Sequence, residues 1–96
     1  MCYTNAVRFE WDPAKAAVNK RKHRVSFEEA LTCFSDPLAL LLEDKRHAER
    51  LVLIGASRDS RVIFTVYAEH DDDGIRIISA RRATREERRT YEEGTD

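Results

Sequence analysis

The sequence predicts an α+β fold: an antiparallel sheet of about four to five strands, two N-terminal helices and a short C-terminal helix. Three observations lead there. Two capped helical patterns occupy residues 13–36, four apolar runs with short connections fill 38–82, and a Thr-x-x-Glu start at Thr84 opens a last helix. Helices grouped ahead of a run of strands pack on a sheet; they do not alternate with strands as in a parallel α/β fold.

Val7, Phe9 and Trp11 alternate with Arg8, Glu10 and Asp12, the period of a half-buried strand. Asp12 followed by Pro13 reads as an N-cap with proline at the first helical position, opening a helix to about His23. Its apolar stripe is narrow (Ala14, Ala17, Val18), so only one edge should dock. Ser26 and Glu29 have capping-box spacing, and Phe27, Ala30, Leu31 and Phe34 follow at i, i+3, i+4 and i+7, a core helix that Asp36 and Pro37 end. The runs LALLLE, RLVLIGAS, RVIFTVYAEH and GIRIISARR read as strands, with turns at Arg58 to Ser60 and Asp71 to Gly74. Connections this short imply antiparallel pairing. On the third run Val62, Phe64, Val66 and Ala68 are expected to face the core; Arg61, Ile63, Thr65, Tyr67 and Glu69 share a more polar face, either solvated or lining a cleft. The last helix, to about Glu93, has Tyr91 as its only large apolar residue, which predicts a weakly docked element.

Ninety-six residues with 42% apolar content predict one domain over 1–96, with 1–6 as a loose N-terminal extension. No apolar run is long enough to cross a bilayer and the N-terminus lacks a signal pattern, so the expected location is cytoplasmic, with no membrane partner. Cys2 and Cys33 lack a second pair at metal spacing; both are expected to be reduced, Cys33 in the core, and neither metal nor cofactor is expected. A net charge of −1 argues against indiscriminate polyanion binding, yet the signs are segregated. Lys15, Lys20, Arg21, Lys22 and Arg24 form an acid-free basic segment, whereas Glu69 to Asp73 holds four acids and no Lys or Arg.

The candidate chemistry lies in the basic segments. Arg81, Arg82, Arg85, Arg88 and Arg89 crowd a strand-to-helix junction, where guanidinium forks match phosphate oxygens; the bland alternative is a solvated helix face with internal ion pairs. Arg81 is favoured among them because the sheet ends and the capped helix begins there. Arg76 would fall on the opposite face of a regular strand, unless a bulge intervenes. His23, beside Lys22, closes the cationic helix and could exchange protons near neutral pH, although helix C-termini favour histidine for electrostatic reasons alone. Phe9 and Trp11 could stack on bases, but strand period makes them core residues.

Phe9-Glu10-Trp11-Asp12-Pro13, Asn19, Arg21-Lys22-His23, Val25 to Ala30, Phe34 and Asp36 together resemble the opening of the BrnT family of bacterial toxins. Glu49-Arg50, Gly55, Ser57, Arg61-Val62, Val66-Tyr67, Arg76 to Arg81, Ala83-Thr84 and Glu87-Arg88 continue the resemblance, so that it spans about residues 8 to 91. It implies a RelE-like fold and a metal-independent endoribonuclease toxin of a type II toxin–antitoxin pair, attacking through the ribose 2′-OH. The implied partners are a BrnA-type antitoxin and RNA, including messenger RNA on ribosomes, with operator DNA reached only through the antitoxin. Carried over by position, His23 would transfer protons, Lys22, Arg61 and Arg81 would hold phosphate and transition-state charge, and Tyr67 would position substrate. Arg24, Arg82, Arg85, Arg88 and Arg89 would bind RNA. Arg24 departs from the family, which usually has glycine there to end the helix in the left-handed conformation. The alternative function is a non-catalytic binding module, such as an inactivated toxin kept for autorepression.

Overall fold

A computed structural model describes residues 8–70 and 74–94. The expected N-terminal extension with Cys2, the acids at 71–73 and the C-terminal Asp96 lie outside the described residues. The chain runs through β1 (Arg8–Glu10), α1 (Pro13–His23), α2 (Phe27–Thr32), a 3-10 turn (Cys33–Ser35), β2 (Leu40–Glu43), β3 (Leu51–Ala56), β4 (Val62–His70), β5 (Gly74–Arg82) and α3 (Arg85–Glu93). These make a five-stranded sheet in the order β1-β5-β4-β3-β2. No helix among the described residues is long and apolar enough to cross a membrane.

Local chemistry sets the helix ends. Asp12 accepts from the Ala14 and Lys15 amides at 2.8 and 3.4 Å, with Pro13 needing no partner for its missing N–H. Ser26 accepts from Glu29 N at 3.0 Å, yet the reciprocal arm of the expected capping box is diverted, because the Glu29 carboxylate turns inward to Ser57 and Arg61. Thr84 and Glu87 do form the full box.

The sheet departs from an all-antiparallel one at β1, which runs parallel to β5 with Phe9 opposite Ile75. Two helices separate β1 from the antiparallel strands, enough chain for a parallel placement that a tight turn forbids. The faces of β4 also reverse the expectation. Ile63, Thr65 and Tyr67 point into the main core with Val25, Phe27, Ala30, Cys33, Leu53, Ile77 and Ala80, beneath α1 and α2. Val62, Phe64 and Val66 join Leu40, Val52 and Ile54 in a smaller cluster on the other face, covered by Tyr91 of α3. The helix layer, not strand composition, decides which face is deeper. Phe9 packs edge-on against Phe34 at 5.1 Å and Trp11 against Phe27 at 5.9 Å, both as core residues. Burial pushes the Cys33 thiol up to about 12, so it is an inert packing residue.

α3 is held more firmly than its composition predicts. The Tyr91 hydroxyl donates to Asp36 Oδ2 at 2.5 Å, and that carboxylate also accepts from the Leu38 and Ala56 amides. Burial alone would raise Asp36, but these donors bring it below the ordinary carboxylate value; the same hydrogen bond and burial push Tyr91 up to about 12.

Candidate active site

β1 pairs with β5 only from Gly74 to Arg76, so the outer edge of β5 lacks a strand neighbour beyond that point. α1 fills part of the gap through Asn19. Its amide donates to the Ala80 carbonyl at 2.8 Å and to the Val25 carbonyl at 3.0 Å, and its carbonyl accepts from Ala80 N at 3.2 Å. A buried side chain thus imitates a neighbouring strand and pins α1 to the sheet. Sequence reading registered Asn19 only as a matched position; a lone amide in an otherwise cationic helix was the available signal.

Two hollows lie about this part of β5, one along its open edge and one on the face of the sheet that it shares with β3 and β4. Lys22 and His23 line one of about 350 Å³ with Val18, Asn19, Ile78 and Ser79. Arg81 lines the other, about 330 Å³, with Phe64, Val66, Ser79, Asp44 and Arg46. Ser79 borders both. His23 is half-buried and Lys22 exposed, and the pair sits where the dipole of α1 is negative.

Arg81 stands on the open face, directly across from Phe64, with its guanidinium 4.1 Å above that ring. Glu87 grips it bidentately at 2.8 and 2.9 Å, and Nη1 also donates to the Arg82 carbonyl. Nε–H and one Nη2–H take no partner among the described residues, so the group retains donors for a phosphate. The hydrogen bond from Arg81 draws Glu87 below the ordinary carboxylate value against the opposing effect of burial. A bulge at Ile78, opposite the Val66–Tyr67 step, turns Arg76 onto the same face as Arg81; Arg76 lies exposed on Glu10 at 3.5 Å.

The other expected site residues lie elsewhere. Tyr67 is 5% exposed and packs against Phe34 at 5.0 Å, so its strand presents the opposite face to the open hollow; burial raises its phenol. Arg61 is committed to Glu29, through Nε at 2.9 Å and through Nη2, and Nη2 also donates to the Arg24 carbonyl at 3.1 Å. Ser57 completes the carboxylate's shell at 2.7 Å. Arg24 accepts the left-handed conformation that glycine would take more readily, φ 61° and ψ 28°, with its N–H on the Lys20 carbonyl. The α1–α2 turn therefore keeps its form without glycine, and the Arg61 clamp holds it from the sheet side. Arg82 and Arg88 meet Arg61 in a third hollow, while Arg85 and Arg89 are exposed on α3.

The family model for the ribonuclease toxin BrnT of type II toxin–antitoxin systems matches residues 11–87. The chain belongs to the BrnT family. Among solved structures, the Brucella abortus ribonuclease toxin BrnT matches with a TM-score of 0.68 and 25% identity, over 82% of this chain and 99% of that one. No curated relative matches at the level of sequence. Membership brings RNA as the substrate class and an antitoxin as partner.

Proposed function

We propose that this BrnT-family chain is a metal-independent endoribonuclease whose active site straddles the unpaired edge of β5. The observation carrying this reading is the placement of His23 with Lys22 on one side of Ser79 and Arg81 on the other. Cleavage through the 2′-OH needs a proton acceptor for that hydroxyl, positive charge on the pentavalent phosphorane and a proton for the departing 5′-oxygen. His23 moves the protons, Lys22 and Arg81 hold the phosphate, and Arg46 adds charge at the rim of the open hollow. At the cleaved bond Arg61 acts indirectly, by holding the turn that carries His23. Tyr67 contributes packing alone. The protein works in the cytoplasm and is neutralised by a BrnA-type antitoxin.

The test is cleavage of RNA by purified protein in EDTA, with 2′,3′-cyclic phosphate ends on the products. His23→Ala should abolish cleavage and Arg81→Ala should cut it by about 10²–10³-fold while the fold survives, and inducing this reading frame alone should arrest growth until the adjacent frame is expressed. A second reading, binding without cleavage, draws on the bidentate hold of Glu87 on Arg81. Bound but intact RNA in EDTA would favour it and sink the catalytic assignment.

A further inference from the structure

The third hollow, about 350 Å³, opens where β4 begins, β5 ends and α3 crosses the end of the sheet. Ser60, Arg61, Arg82 and Arg88 line it, with Glu92 as its one acid. Arg61 is fixed there by Glu29 and the Arg24 carbonyl, so one wall is a preset guanidinium. Arg82 and Arg88 differ from it, having no ion-pair partner among the described residues, and both are exposed. Glu29 feels Arg82 only as a distant charge, since its oxygens are committed to Arg61 and Ser57. Guanidinium groups without a direct ion pair, facing one concavity in which cations outnumber the single carboxylate, repel each other, and an anion between them relieves that penalty.

Arg82 follows Arg81 on β5 and so points to the opposite face, opposite Ile63. A chain rounding the end of β5 past Ala83 would meet Arg81 on one side and this hollow on the other. We infer that the hollow formed by Arg61, Arg82 and Arg88 is a second phosphate subsite, which grips the RNA backbone away from the cleaved bond. The inference rests on the ribonuclease reading for its ligand, although the anion site itself does not.

Two measurements separate these layers. The first is the thermal midpoint of the full chain with and without inorganic phosphate, for wild type, the Arg82→Ala/Arg88→Ala double variant and the single Arg88→Glu on exposed α3. Phosphate should raise the wild-type midpoint clearly more than that of either variant; an equal rise in all three overturns the subsite. The second is binding of a short 2′-O-methyl RNA, which cannot be cleaved, across a range of KCl. The double variant should bind about tenfold more weakly. Its salt dependence should be shallower by about 0.7 in logarithmic slope, the counterion release of one phosphate on a single strand. Unchanged affinity and slope overturn the subsite. Phosphate stabilisation that the variants lose, with no RNA binding even in wild type, would keep the anion site and refute the ribonuclease reading.

Discussion

Two arginine–carboxylate pairs of the same chemistry sit near opposite ends of this molecule's logic. Arg61–Glu29 lies under the helix layer, where the carboxylate side chain is 8% exposed and is completed by Ser57. Arg81–Glu87 lies on the open face, with side chains 36% and 24% exposed, beside an aromatic ring and a hollow. Each arginine keeps two N–H groups without a partner among the described residues, but Arg61 is also tied to the α1–α2 turn through the Arg24 carbonyl. Arg81 is tied only to its own strand end and helix start, over an aromatic ring. The carboxylates, more than the arginines, separate the two pairs: Glu29 is buried and held by both Arg61 and Ser57, so it cannot release its partner cheaply, whereas Glu87 is nearer to solvent.

Breaking each carboxylate is the strongest way to test that contrast. Glu29→Ala leaves Arg61 without its partner beneath the helices and should lower unfolding free energy by about 3 kcal/mol. Glu87→Ala should lower it by about 1 kcal/mol, since the pair is near the surface and the capping arm is also lost. Equal losses in urea denaturation would erase the distinction. Activity should invert the order: Arg81→Ala is expected to reduce RNA cleavage by about 10²–10³-fold with little change in the urea midpoint.

Acidification sharpens the comparison. Hydrogen bonds from Arg61 and Arg81 draw Glu29 and Glu87, respectively, below the ordinary 4.5. A lowered folded value means that the unfolded chain binds the proton more readily. The stabilisation is therefore full above about 4.5 and is lost as pH falls through each folded value. Urea midpoints followed downward in pH should drop, and Glu29→Gln should flatten that drop more than Glu87→Gln. The smallest effect is expected at the turn itself. Arg24→Gly should stabilise the protein by about 1 kcal/mol, because glycine adopts the left-handed conformation without the steric penalty of a Cβ. A loss of stability instead would show that the Arg24 side chain, and not its backbone carbonyl, secures the clamp.

Much of this architecture was legible in the chain. Asp12-Pro13, Ser26 and Thr84 place three helix starts through contacts a few residues long, and apolar runs with short connections mark the strands from β2 to β5. The faces of β4 were not legible, because Ile63-x-Thr65-x-Tyr67 and Val62-x-Phe64-x-Val66 can both be buried and only the overlying helices choose between them. The same limit hid the anchoring of α3, whose single large apolar residue finds Asp36 55 residues away.

The sequence by itself determined the order and limits of the elements, the family, and the concentration of cations at His23 and at the end of β5. Those properties depend on local hydrogen bonding, periodicity and residue type. Only the tertiary structure decided which cation serves which purpose. Glu29 meets Ser57 28 residues away and Asn19 meets Ala80 61 residues away, and such partners are chosen by packing that brings distant segments together. Arg61 and Arg81 look alike as letters; the burial of their carboxylates makes one a clamp and leaves the other facing a cavity.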